Sequence, residues 1–194
     1  MRTSTLLISA LLAFSGSAQA ASIPDGPVLG GTLIVATTGE VEATFLGSYA
    51  GYWNSLFLES ALGASGFLFD KGTPVGTTLD LGSFSAGTEL TFRLHVWNTG
   101  EDFFTGVGSL NRDGLPHALA VTRFDATLDA LVTDVGFEDL YGGGDKDYND
   151  FVFRLTNVYD PPPPAGVPEP ATLALLGLGM AGIGYRRRRQ STKA

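Results

Sequence analysis

Glu89-Leu90-Thr91-Phe92-Arg93-Leu94-His95-Val96-Trp97 alternates apolar and polar residues without a break. Successive side chains of an extended chain point to opposite faces, so Leu90, Phe92, Leu94 and Val96 share one face and Thr91, Arg93, His95 and Trp97 the other. This is a strand with one face buried and one in water; a helix would repeat its apolar positions every three or four residues. Outward from it, shorter runs of the same kind occupy residues 32–37, 41–45, 55–58, 77–81, 118–124, 128–135 and 150–158. Turn-forming clusters separate them, among them Asp70-Lys71-Gly72-Thr73-Pro74 and Asn111-Arg112-Asp113-Gly114. Roughly eight short strands at about ten-residue spacing predict an all-β fold, an antiparallel β-sandwich or jelly roll. The weakest pattern is at residues 49–66, where 53–62 also fit a short helix. No internal repeat is visible.

Composition agrees with many turns: 26 of the 194 residues are glycine, roughly twice the usual share. The net charge of −8 is a sum over unlike parts. Residues 21–160 hold 19 acids and 6 bases, a net −13, whereas five of the six charges in residues 165–194 are basic. Phosphate contacts need clustered Lys and Arg, so nucleic acid is excluded as a partner and cations are favoured. The absence of Cys removes disulfides, zinc-thiolate sites, iron–sulfur clusters and thiol nucleophiles together.

Both ends read as addresses. Arg2, the apolar residues 6–14 and Ala18-Gln19-Ala20 reproduce a secretory signal peptide, with cleavage expected after Ala20 and a signal segment 1–20. One domain then fills residues 21–160. The prolines 161–164 begin a stiff linker, residues 161–167. Val167-Pro168-Glu169-Pro170, an uncharged run 171–185 and Arg186-Arg187-Arg188-Arg189 complete the chain's last segment, 168–194. Fifteen helical residues span about 22 Å, short of a hydrocarbon core of roughly 30 Å. Snorkelling arginines or local thinning close that gap, which predicts a short transmembrane anchor helix with its basic end in the cytoplasm. Within it Gly177-Leu178-Gly179-Met180-Ala181-Gly182 matches a dinucleotide fingerprint only by spelling, because no βαβ unit surrounds it. The order Pro-Glu-Pro, short apolar helix, Arg cluster resembles the PEP-CTERM sorting signal of Gram-negative bacteria. That resemblance implies export, a transient stay in the inner membrane, processing near Pro168, Glu169 and Pro170 by an exosortase-type enzyme, and a final place at the cell surface or outside the cell.

The densest polar constellation is Glu138-Asp139-Leu140-Tyr141-Gly142-Gly143-Gly144-Asp145-Lys146-Asp147-Tyr148-Asn149-Asp150. Three glycines allow backbone conformations with positive φ that side chains disfavour. They join a strand ending near Glu138 to one starting near Asp150, so Glu138, Asp139, Asp145, Asp147, Asn149 and Asp150 gather at one rim of the sandwich. Flexible hard oxygen ligands suit Ca²⁺, and these six residues are the candidate metal ligands. Asp145-x-Asp147-x-Asn149 opens like an EF-hand loop, but Asp150 stands where that loop requires Gly and Thr156 where it requires Glu. The competing reading is a solvated turn without metal. His117 either joins the rim or is a satisfied strand-end residue.

This stretch also resembles a second family. Gly136-Phe137-Glu138-Asp139-Leu140 and Asp145-x-Asp147-Tyr148-Asn149-Asp150-Phe151-Val152-Phe153 are similar to the signature of a domain of unknown function found in secreted and surface bacterial proteins. Upstream, Phe92-x-Leu94, Trp97-Asn98 and Asn111-x-Asp113-Gly114-x-x-His117 agree more loosely. The resemblance covers about residues 56–158 and implies a β-sandwich; it implies no activity.

The expected function is that of an exported, non-enzymatic surface or matrix protein that binds Ca²⁺. The alternative is a module for extracellular polysaccharide, through bound Ca²⁺ or through aromatics such as Trp53 and Trp97. A glycoside hydrolase needs two carboxylates facing each other across a sugar. Here the acids crowd one turn, no G-x-S-x-G elbow is present, and no catalytic residue is assigned.

Overall fold

The computed structural model describes residues 27–59 and 65–161. The expectations for the signal peptide, for the sorting segment and for all of the linker except Pro161 fall outside these residues. Among the described residues no helix is long and apolar enough to cross a membrane.

The strands are β1 (Pro27–Leu29), β2 (Leu33–Val35), β3 (Gly39–Gly47), β4 (Asn54–Glu59), β5 (Ser65–Asp70), β6 (Thr78–Phe84), β7 (Glu89–Val96), β8 (Glu101–Phe104), β9 (Ala118–Asp125), β10 (Ala130–Phe137), β11 (Phe151–Thr156) and β12 (Val158–Tyr159), with one 3₁₀ turn at Gly108–Leu110. They form two sheets, β1-β9-β10-β11-β3-β6 and β12-β2-β7-β4-β5, and β8 adds to the free part of the β7 edge that β2 leaves. Every pairing among the described residues is antiparallel.

The apolar half of each alternating pattern meets its counterpart from the facing sheet. On β7, Leu90, Phe92, Leu94 and Val96 are each no more than 1% exposed. Phe92 packs on Phe153 of β11 with ring centroids 5.0 Å apart, and Phe45 of β3 lies between Phe69 of β5 at 5.7 Å and Phe151 at 5.0 Å. These rings bridge the sheets and form the centre of the core.

The strand expected at 55–58 is present as β4, and the helix that 53–62 also fitted does not form at 54–59: Leu56 and Leu58 point into the core while Phe57 and Glu59 point outward, a period of two. Two differences from the sequence reading have local causes. Strands β1, β5 and β8 carry too few alternating residues to announce themselves. The run 150–158 is two strands in two sheets, because Asn157 adopts φ 57° and turns the chain from β11 to β12. Asn157 holds that corner with its side chain, whose Oδ1 accepts from the Thr37 N–H at 3.0 Å and whose Nδ2 donates to the Thr37 carbonyl at 2.8 Å.

Candidate metal centre on the acidic rim

β10 and β11 are paired up to Phe137 opposite Phe151, so residues 138–150 form the loop that caps this end of the sandwich. Gly142, Gly143 and Gly144 all have positive φ, at 89°, 85° and 47°. A Cβ on Gly144 would lie 2.1 Å from Glu138 Oε2, and one on Gly136 would lie 2.0 Å from the Tyr148 carbonyl oxygen. Glycine is therefore required at both places by contact with the loop itself.

The structure sorts the six candidate ligands into two groups. Glu138, Asp145 and Asp147 present carboxylate oxygens that all lie within 4.8 Å of one another. Glu138 is 1% exposed; its Oε1 accepts from the Tyr148 N–H at 2.8 Å, while its buried Oε2 has no hydrogen-bond partner among the described residues. Burial raises the Glu138 pKa, the Tyr148 N–H opposes this, and the charges of Asp145 and Asp147 raise it further. Asp139 and Asp150 form the second group, deeper in the rim. The Asp139 N–H donates to Asp150 Oδ2 at 3.0 Å, and Asn54 Nδ2 of the other sheet donates to Asp139 Oδ2 at 2.9 Å. Burial, with the charges of Asp139 and Glu138, pushes the Asp150 carboxyl up to about 6. Asn149 turns its amide onto Asp147, donating from Nδ2.

The donor set meets the requirements of a hard cation. One orphaned buried carboxylate oxygen and two exposed carboxylates converge, and backbone carbonyls or water would have to complete a shell of six to eight oxygens. A bound Ca²⁺ would supply the missing partner of Glu138 Oε2 and reverse the mutual repulsion of the three acids.

Two supporting residues stood in the sequence block Asn111-x-Asp113-Gly114-x-x-His117, Asp113 without an assigned role and His117 as either a rim ligand or a satisfied residue. His117 is the satisfied strand-end residue, just before β9, and is fully buried and stacked on Phe103 with centroids 3.9 Å apart. Its Nδ1 faces the Glu138 carbonyl oxygen at 3.1 Å and its Nε2 faces Asp113 Oδ2 at 2.8 Å. Asp113 Oδ2 also accepts from the Gly142 N–H at 2.9 Å, and its Oδ1 accepts from the Leu115 N–H at 3.0 Å. Burial would raise the Asp113 pKa, but the Gly142, His117 and Leu115 donors prevail and hold it down at about 2. Asp113 and His117 thus clamp both ends of the segment that carries Glu138 and the glycines. Imidazole does not join the carboxylate triad.

Residues 166–189 match the PEP-CTERM protein-sorting motif, the mark of an exported protein. Residues 70–157 match a domain of unknown function, DUF4114. Among solved structures, the Ralstonia solanacearum high-affinity mannose-binding lectin is 15% identical with a TM-score of 0.41, covering 66% of this chain and 96% of the lectin. The C-terminal domain of the BC2L-C lectin from Burkholderia cenocepacia is 16% identical with a TM-score of 0.40, covering 66% of this chain and 94% of that domain. At this level of likeness no ligand transfers from either lectin. No curated protein matches the chain.

Proposed function

For a chain that carries a PEP-CTERM sorting motif and a DUF4114 domain, we propose the role of an exported, non-enzymatic surface or matrix protein whose β-sandwich takes up Ca²⁺ at Glu138, Asp145 and Asp147. Orphaned Glu138 Oε2, buried beside two further carboxylates, carries this reading. The body is delivered outside the cytoplasm, held by the basic-ended anchor in the inner membrane, and released or attached after an exosortase-type enzyme acts near Pro168, Glu169 and Pro170. A non-enzymatic role is favoured because both ring nitrogens of His117 are engaged within the protein and the acids converge on one point instead of facing each other across a cleft.

Calcium acts here as a structural ligand. At a free concentration a hundred times Kd it adds about 2.7 kcal/mol to the folded state, a useful contribution in a domain that has no disulfide. The test is thermal unfolding of the full chain with CaCl₂, with MgCl₂ and with EDTA. The midpoint is expected to rise with Ca²⁺, to fall on chelation, and to stop responding in Glu138→Gln. An unresponsive wild-type midpoint removes the metal from the account.

A further inference from the structure

We infer that the outward face of the β4–β7 pair is a binding platform for a neutral polysaccharide, separate from the acidic rim. Both tryptophans of the chain lie at the end of that pair on adjoining positions, Trp53 just before β4 and Trp97 just after β7: the Trp97 backbone N–H donates to the Trp53 carbonyl oxygen at 3.0 Å. Trp97 is 60% exposed and Trp53 49%. Trp97 is nevertheless held from below, and Trp53 rests against the turn after β5. Trp97 Nε1 donates to buried Ser55 Oγ at 2.9 Å, and its ring meets the edge of His95 at 4.4 Å. Trp53 lies over Gly72, where an added Cβ would come within 3.3 Å of the indole. Large aromatic surfaces held in one orientation while open to solvent lose little freedom on binding, which is what a stacking anchor requires.

The groups along the same face, with His95 next to Trp97 and Arg93 and Glu59 farther along the strands, select the ligand class. Arg93 bridges Glu59 at 2.6 Å and Asp102 at 2.8 Å, and His95 Nδ1 faces Asp102 at 2.8 Å. This paired set presents hydrogen-bond donors and acceptors side by side without a concentrated field. A sugar ring offers the complement, an apolar C–H face for the indole and hydroxyls around its edge. Charged groups among the aromatics oppose insertion into lipid, and the net −13 of residues 21–160 opposes acidic polymers. The inference does not depend on calcium at the rim.

Affinity electrophoresis of the full chain in detergent, through gels containing mannan, dextran or xylan, tests it. At least one of these neutral polymers is expected to retard the protein and to change the emission of Trp53 and Trp97. Trp97→Ala is expected to weaken retardation roughly tenfold or more, as loss of a central aromatic anchor does; Trp53→Ala should also weaken it, and Trp97→Phe should retain most of it. EDTA should leave it unchanged, which separates this site from the metal centre. Retardation by none of the three polymers, abolition by EDTA, or equal retardation of wild type and both alanine variants overturns the inference. So does a self-association, seen by sedimentation, that Trp97→Ala disrupts, since the face would then dock a second copy of the chain.

Discussion

Asp160, immediately after β12, offers a quantitative test of how this fold tolerates buried charge. The residue is 1% exposed, and among the described residues neither carboxylate oxygen has a well-formed hydrogen-bond partner, the Thr32 N–H being the nearest influence. Its carboxylate fills the space above Gly31, where a Cβ would lie 1.5 Å from Oδ2. Burial, offset only in part by the Thr32 N–H, raises its pKa from 3.8 to about 6. At about 1.4 kcal/mol per pH unit, ionised Asp160 costs the folded state about 3 kcal/mol. The folded pKa lies above the unfolded one, so the cost is fully present above about pH 6, shrinks as pH falls, and is absent below about pH 4. Asp160→Asn removes the charge but keeps the shape. Its unsatisfied amide contributes the same offset at every pH, and the perturbed carboxyls of Glu138 and Asp150 titrate alike in both proteins. The stability of variant minus wild type should therefore be about 3 kcal/mol more favourable at pH 8 than at pH 4. Urea unfolding of the full chain in EDTA, followed by tryptophan emission, measures this. A difference that changes by less than about 1 kcal/mol between the two pH values, or changes in the opposite direction, would refute the reasoning.

Three further outcomes follow from the rim. Without metal, Glu138→Gln should be more stable than wild type at pH 7–8, because a buried unpaired carboxylate is gone; in saturating Ca²⁺ the order should reverse, as calorimetry with and without EDTA can read. Gly144→Ala, with all carboxylates retained, should lose most of the Ca²⁺-dependent rise in thermal midpoint, since its Cβ takes the place of Glu138 Oε2. Asp113→Asn should cost about 2 kcal/mol at neutral pH, from the fall in pKa from 3.8 to about 2. Because that pKa is depressed, the loss should persist above about pH 4 and fade as pH falls through 2, which urea titrations across this range would follow.

Much of the fold is legible in the chain because its informative pattern is local. The alternation at residues 89–97 needs only neighbouring side chains to define a strand, and the glycines at 142–144 define a turn by the conformations they permit. Where alternation is short, as at Glu101–Phe104, or broken by consecutive apolar residues, as at Phe67-Leu68-Phe69 of β5, the local pattern is too weak. The candidate site was legible as a set of residues on one loop, but not as a geometry. Asp139 and Asp150 pair with each other, leaving Glu138 with Asp145 and Asp147.

The sequence by itself determined an all-β domain, an acidic rim between two strands, and the ordered parts of a sorting signal at its C-terminal end. The tertiary structure alone decided which acids converge, that Asp113 and His117 clamp their loop, that Trp53 and Trp97 share one face, and that Asp160 is buried. These depend on sheet order and register, which join residues such as Asn54 and Asp139, 85 positions apart, and no local periodicity encodes which distant strand will lie alongside.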